Sequence, residues 1–296
     1  MDKTNVSPLV SVIMLSYNQA DCMERAIASV LQQETDFKFE IVVHDDASTD
    51  GSQDILKRLA GEHPDKFKLI LRQENYFRKE GGFGLIMQSL MAEADGKYLA
   101  NLECDDVWTD NRKLQEQVDM LEAHPEASVC TGAYVERLIC NDTSPAEHPA
   151  RKIVYSKDGN LLPEGAHIEP YYFFTEKEWA HRWLTKNLTA VYRKDALQDH
   201  IRDIQKYQYL RDVHIFYYLL QKGCGIYMTK VLGEYDICDS GIFGSKSRQN
   251  QRRQHLLCYR ELWKVLRHPL LLRLLIEKRL SLMFHGLFDG QLAIPG

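Results

Sequence analysis

Four short apolar runs alternate with amphipathic stretches over the first hundred residues. Val10–Leu15, Phe39–Val43, Lys68–Leu71 and Tyr98–Leu102 are strand-length and rich in β-branched, aromatic and leucine side chains. Between them, apolar positions recur at helical spacing: Met23, Ala26, Ile27, Val30 and Leu31, then Ile55, Leu56 and Leu59, then Leu85, Ile86, Met87, Leu90 and Met91. Asp21 and Glu24 predict a capping box for the first helix, which should run to Gln33. Asp50-Gly51-Ser52 opens the second and Gly81-Gly82 precedes the third. Strand–helix alternation at this spacing predicts βαβ units, and therefore an α/β chain built on a parallel sheet.

The pattern changes after Asp106. Lys113–Glu122 reads as a helix with Leu114, Val118 and Leu121 on one face, stopping at His124-Pro125. Short strand-like stretches follow at Ser128–Thr131, Tyr134–Leu138 and Ile153–Tyr155, with a polar loop over 141–151. Thr189–Tyr192 predicts a strand, Asp212–Gln221 a helix, and Gly225–Met228 and Val231–Tyr235 two more strands. From residue 245 the chain is helical in pattern, basic and Leu-rich. We therefore divide it into 1–110, 111–244 and a helical extension, 245–296.

At 296 residues the chain can bury a sizeable core, and 44% hydrophobic with 27% charged residues is ordinary for a globular protein. A net charge of −5 gives no reason to expect nucleic acid as a partner. The charge is unevenly spread: residues 245–280 hold ten Lys/Arg and two Glu. Seven scattered cysteines, with no CxxC pair, fit reduced thiols better than a disulfide framework or a zinc site. No run reaches the length of a membrane span, and MDKTNVSP lacks the apolar core of a signal peptide, so a cytoplasmic catalytic part is expected.

Candidate chemistry sits where the second and fourth apolar runs end. His44-Asp45-Asp46-Ala47-Ser48-Thr49-Asp50 follows one, and Glu103-Cys104-Asp105-Asp106 follows the other. Carboxylates at the carboxyl ends of parallel strands converge on one crevice, the usual ligand site of an open α/β sheet. Such acids repel one another unless a cation offsets them, which points to a divalent metal holding a diphosphate. Simpler readings remain for several of them: Ser48, Thr49 and Asp50 suit a helix start, Asp212 suits an N-cap, and Cys104, Cys238, Trp108, Trp179 and Trp183 suit packing.

Four ordered motifs resemble family-2 inverting glycosyltransferases of the GT-A fold. Val10–Asn18 is similar to that family's SVIIPTYN strand, Ala28–Gln33 to its SVLxQ helix, Glu40–Gly51 to EIIVVDDGSTDG, and Gly96–Asp110 to GKYIAxxEGDDYWTD. The resemblance is continuous over about 9–130 and weaker to about 245. It implies a Rossmann-like, mostly parallel sheet flanked by helices, and transfer of a sugar from a nucleoside-diphosphate sugar to an acceptor hydroxyl. It places Tyr17 against the base, Asp46 on the base N3–H, Glu103 and Asp105 around the donor, and Asp106 on Mn²⁺ or Mg²⁺. It gives Asp212 the role of catalytic base, although Arg211 stands where an acid usually precedes that base. The acceptor it implies is a saccharide or lipid-linked saccharide, in bacterial surface polysaccharide or glycoconjugate assembly.

Two positions depart from the family's YRxHxxG segment: Asp236 replaces the Arg and Cys238 the His. A degenerate transferase that binds without turnover is therefore one alternative. A sugar nucleotidyltransferase is another, but Ser16-Tyr17-Asn18-Gln19 lacks the glycines of a phosphate loop. The extension, with Arg273, Glu277, Ser281 and His285 on one stripe and leucines opposite, suits either peripheral contact with the inner face of a membrane or packing on its own domain or a second subunit.

Overall fold

The computed structural model describes residues 7–139, 150–155, 160–162, 169–181, 184–198, 200, 207, 211–238 and 248–289. The four apolar runs form β1 (Val10–Ser16), β2 (Phe39–Asp45), β3 (Phe67–Leu71) and β4 (Tyr98–Asn101), all mutually parallel in the order β3-β2-β1-β4. The helices between them are α1 (Met23–Leu31), α2 (Ser52–Glu62) and α3 (Gly82–Glu93). After β4 come β5 (Val107–Trp108), α4 (Lys113–Ala123), β6 (Ala127–Ile139), β7 (Arg151–Ile153), β8 (Tyr171–Phe174) and α5 (Glu176–His181). A 3₁₀ turn, Asn187–Thr189, leads into β9 (Val191–Arg193) and α6 (Asp195–Gln198). The remaining described elements are α7 (Asp212–Lys222), β10 (Cys224–Cys238), α8 (Arg248–Leu266) and α9 (Pro269–Asp289).

β9 joins β4 antiparallel and carries the sheet on through β6 and β10 to β5, while β7 and β8 pair with β6 and β10. Successive strand residues serve opposite faces. Ile13, Val42 and Leu99 face a core shared with α3, α7, α8 and α9, whereas Val12, Met14, Ile41, Val43 and Ala100 face one shared with α1, α2 and α4. Burial on both faces explains why these strands read as unbroken apolar runs. Each fully buried Val, Leu or Ile contributes about 1.5–3 kcal/mol.

Several local expectations are corrected. α1 starts at Met23 with Cys22 as N-cap and no side-chain capping bond, so Asp21 and Glu24 form no capping box. The two strands expected over 128–138 are one, β6, and those over 225–235 are one, β10; the two pair in parallel along their length, with irregularities between Met228 and Gly233. Pairing over so many residues overrides the local break at Gly132 and the polar Thr229-Lys230 pair. Thr189 belongs to the 3₁₀ turn, and the strand begins at Val191. β5, β8, α5 and α6 carried too little periodicity to be expected. Most of the 141–151 loop, and Trp183, lie outside the described residues.

Candidate active site

The ends of β1, β2 and β4 open on one crevice, and a lattice of hydrogen bonds fixes its loops. Ser48 Oγ, Ser52 Oγ and Asp50 Oδ2 accept from the backbone N–H of Asn18 (2.8 Å), Gln19 (3.1 Å) and Ala20 (2.9 Å). Asn18 Oδ1 accepts in turn from Thr49 N–H at 2.8 Å. The polar run after β2 thus laces the loop after β1, beyond any capping role, although Asp50 does accept from Ser52 N–H (3.0 Å). Asn18 and Ala47 adopt positive φ (52° and 66°), and Ala47 stands where the motif's glycine would. Tyr17, on the laced loop, is 40% exposed and presents its ring to solvent.

Asp46 is buried and fully engaged. Its Oδ1 accepts from Tyr76 N–H (2.7 Å) and its Oδ2 from Phe77 N–H (2.9 Å). The loop so held runs into α3, where a Cβ on Gly82 would come within 1.8 Å of the Tyr76 carbonyl oxygen, so only glycine fits. His44, also buried, bonds Ser89 Oγ through Nδ1 (2.9 Å); burial, then the charge of Arg72, lowers its pKa.

After β4, a tight turn in which Asp106 N–H donates to the Glu103 carbonyl brings three carboxylates together. Ligand atoms of Glu103, Asp105 and Asp106 lie within 4.8 Å of one another. Asp105 Oδ1 and Asp106 Oδ1 are buried without a hydrogen-bond partner. Burial and the charges of Glu103 and Asp105 push Asp106 well above the usual carboxylate range; burial and then Asp236 raise Asp105. Desolvation by the surrounding protein and the charges of Asp105 and Asp212 raise Glu103, while Lys186 and a hydrogen bond from the Asn187 side chain oppose the rise. Three hard oxygen donors, two of them orphaned, suit a divalent cation such as Mg²⁺ or Mn²⁺.

Asp212 opens α7 behind Arg211, which is the N-cap, so Asp212 is not the cap residue. It is half-buried, its Oδ1 accepts from Val213 N–H at 2.8 Å, and its charge is felt at Glu103. The structure therefore brings Asp212 toward the acidic group across more than a hundred residues of chain.

Four contributors carried no sequence signal. Tyr192 OH donates to Asn101 Oδ1 (3.1 Å), Asn101 Nδ2 donates to Asn187 Oδ1 (3.1 Å), and the Asn187 side chain bonds Glu103. Lys186 supplies the positive charge that counters all three acids. Asp236 is buried and clamped between Arg25 and Arg137, the latter by bonds of 2.9 and 3.0 Å. An acid at this position thus ties α1 to β6 through two guanidinium groups. The Cys238 side chain lies outside the described residues. Trp108 and Trp179 are core residues whose indoles donate to the Leu188 carbonyl and to Thr185 Oγ1, so neither presents a ring to the crevice. Cys104 is buried in the core, and Cys22, Cys104, Cys130, Cys224 and Cys258 form no disulfide.

Residues 11–184 match the family described as glycosyl transferase family 2. The chain belongs to that family. It is 32% identical over 155 residues to a putative teichuronic acid biosynthesis glycosyltransferase, TuaG, of Bacillus subtilis, covering 51% of this chain and 57% of that one. It is 29% identical over 129 residues to the Escherichia coli UDP-Glc:alpha-D-GlcNAc-diphosphoundecaprenol beta-1,3-glucosyltransferase WfaP, covering 44% and 47%. The chain thus spans about half the length of these two relatives, and 34% of an uncharacterized Mycobacterium tuberculosis protein, Rv1520, that is 39% identical over 121 residues, or 41% of this chain. Its fold is similar to S. aureus TarS in complex with UDP-GlcNAc (TM-score 0.56, 17% identity, 86% of this chain and 66% of that one). It is also similar to a Pyrobaculum calidifontis mannosyltransferase in complex with GDP-Man and Mn²⁺ (TM-score 0.54, 16% identity, 94% and 70%). The mostly parallel, helix-flanked sheet is the GT-A arrangement expected from the motifs.

Proposed function

We propose that this protein transfers a hexosyl group from a nucleoside-diphosphate sugar to an acceptor hydroxyl, with inversion at the anomeric carbon. The observation that carries this reading is the convergence of Glu103, Asp105 and Asp106 at the end of β4, with two buried oxygens lacking partners. In it, Asp106 and Asp105 hold Mg²⁺ or Mn²⁺, and Glu103, fixed by Asn187, lies beside the donor. When bound there, the ion supplies neutralisation of the charge that develops on the departing diphosphate. Tyr17 offers its exposed ring to the base, and Asp46, whose two oxygens hold the 76–77 backbone, acts on base recognition through that loop. Asp212 Oδ2 takes the proton of the acceptor hydroxyl, leaving Oδ1 to the Val213 N–H. Residues 1–110 form the donor half and 111–244 the acceptor half.

Two further observations bear on the acceptor. The name of WfaP specifies a diphosphoundecaprenol-linked sugar, and that of TuaG a teichuronic acid, both consistent with surface-polymer assembly. In this chain, Leu271 and Leu274 bury α9 against the core, while Leu272 (42% exposed), Ile276 (53%) and Leu280 (47%) form an outward stripe at i, i+4 and i+8. Exposed Arg273 and Arg279 flank it, and Arg260, Lys264 and Arg267 are exposed nearby. No described helix is long and apolar enough to cross a membrane. This surface fits the anionic inner face of a cell membrane, where a lipid-linked acceptor would be met.

A thermal-shift screen of UDP-, dTDP-, GDP- and CDP-sugars with Mn²⁺ tests the reading. One nucleotide class should stabilise the chain in a metal-dependent way, and its sugar should then be transferred with inversion. Stabilisation without transfer to any acceptor would identify a binding-only protein. No response to any nucleotide sugar would overturn the proposal.

A further inference from the structure

We infer that Lys186 contacts the donor's diphosphate, its ammonium poised beside the acidic group on the rings of two tyrosines. This inference rests on the proposed nucleotide-sugar reading and adds to it a residue that neither the motifs nor the fold assigns.

The Lys186 ammonium lies 3.3 Å from the ring centroid of Tyr235, on β10, and 5.6 Å from that of Tyr134, on β6. The two rings meet edge to face, with centroids 6.5 Å apart. A cation on aromatic faces is held in place without a carboxylate partner. Among the described residues, no carboxylate comes within ion-pair distance of Lys186. Two cations close to the acids are committed elsewhere: Arg25 and Arg137 both pair with buried Asp236.

Backbone geometry ties Lys186 to the acids. It directly precedes Asn187, whose side chain is bonded to both Asn101 and Glu103. Its carbonyl accepts from Thr189 N–H at 3.1 Å, closing the 3₁₀ turn. Held on the Tyr235 ring, the ammonium is close enough to counter the charge of all three acids. A diphosphate drawn to a cation on those acids arrives next to this ammonium, and a lysine serves such a phosphate as a point charge.

The rival role is that of a passive counter-ion easing repulsion among the acids. The two roles differ in the sign of one effect. Lys186→Met removes a positive charge, so Mn²⁺ alone should bind more tightly in either case. Only a diphosphate contact makes the same variant bind the nucleoside diphosphate more weakly, because a charge-assisted bond is lost. Calorimetry of parent, Lys186→Met and Lys186→Arg with Mn²⁺ alone, the bare nucleoside, and the nucleoside diphosphate at saturating Mn²⁺ separates them. The expected result for Lys186→Met is tighter Mn²⁺, unchanged nucleoside, and a diphosphate affinity lower by about tenfold or more. Lys186→Arg, which keeps the charge, should recover part of the loss. Unchanged or tighter diphosphate binding by Lys186→Met would overturn the inference alone. A parent chain that binds no nucleoside diphosphate would overturn the functional reading beneath it. If Lys186→Met does not fold, Lys186→Arg decides: a diphosphate affinity that falls while nucleoside affinity holds supports the contact, and equal behaviour overturns it.

Discussion

Replacing Asp46 by Asn keeps the side chain's size while removing what the structure uses it for. Both carboxylate oxygens accept from backbone N–H groups, Tyr76 at 2.7 Å and Phe77 at 2.9 Å, and the residue is 1% exposed. An amide can accept from only one of these groups; its own NH₂ then faces the other, donor against donor. One charge-assisted bond, worth about 1.5–3 kcal/mol, is lost and the surviving one is weakened to about 1 kcal/mol. The expected destabilisation is about 2–4 kcal/mol, limited at the upper end because the 75–77 loop can detach without global unfolding. Urea denaturation should show it, and hydrogen exchange should report faster exchange at the amides of 76 and 77 than in the parent. A free energy of unfolding within 0.5 kcal/mol of the parent, with both amides still protected, would refute the clamp. In the same variant the affinity for a bare nucleoside should fall; unchanged affinity would leave Asp46 the clamp role without base recognition.

Lys113 is wholly buried, its Nζ without a hydrogen bond, 4.1 Å from the Trp108 ring centroid, and burial lowers its pKa to about 7. A depressed lysine costs the fold stability as pH falls from 10.5 to about 7, since the unfolded chain takes the proton first. Lys113→Met should therefore raise stability by about 2 kcal/mol or more at pH 7, with a gain that fades toward pH 10; a gain independent of pH contradicts this. Asp212→Asn should depress transfer by about 10²–10⁴-fold while leaving donor affinity nearly intact, and near-normal turnover would return Asp212 to a structural part in α7. The full chain should sediment with anionic vesicles at low salt and be released at high salt, and Leu272→Ser with Ile276→Ser should weaken binding. Salt-insensitive self-association with no vesicle binding would assign that stripe to a second copy instead.

Legibility in the sequence followed the range of the forces involved. β1, β2 and β4 are readable because burial on both faces forces apolar runs, and their acids because clustered carboxylates at strand ends have few other uses. The start of α1 departs from the capping-box pattern because the amides of Asn18, Gln19 and Ala20 find their acceptors some thirty residues away, at Ser48, Ser52 and Asp50. The local pattern splits β6 and β10 into two strands each because their long mutual pairing is non-local, whereas Gly132 and Lys230 are local breaks. Asn101, Lys186, Asn187 and Arg137 gave no signal, since each acts only through tertiary approach. Asp236 looked like a lost function; in the fold it is an anchor for Arg25 and Arg137.

The account rests most directly on the acids after β4 holding a metal for a nucleoside diphosphate. Titration calorimetry of the parent and Asp106→Asn with nucleoside diphosphate, with Mn²⁺ and in chelator, measures this. The parent should bind the diphosphate far more tightly with Mn²⁺ than without, and Asp106→Asn should lose most of that difference while remaining folded. Equal, metal-independent binding by both proteins would contradict the account.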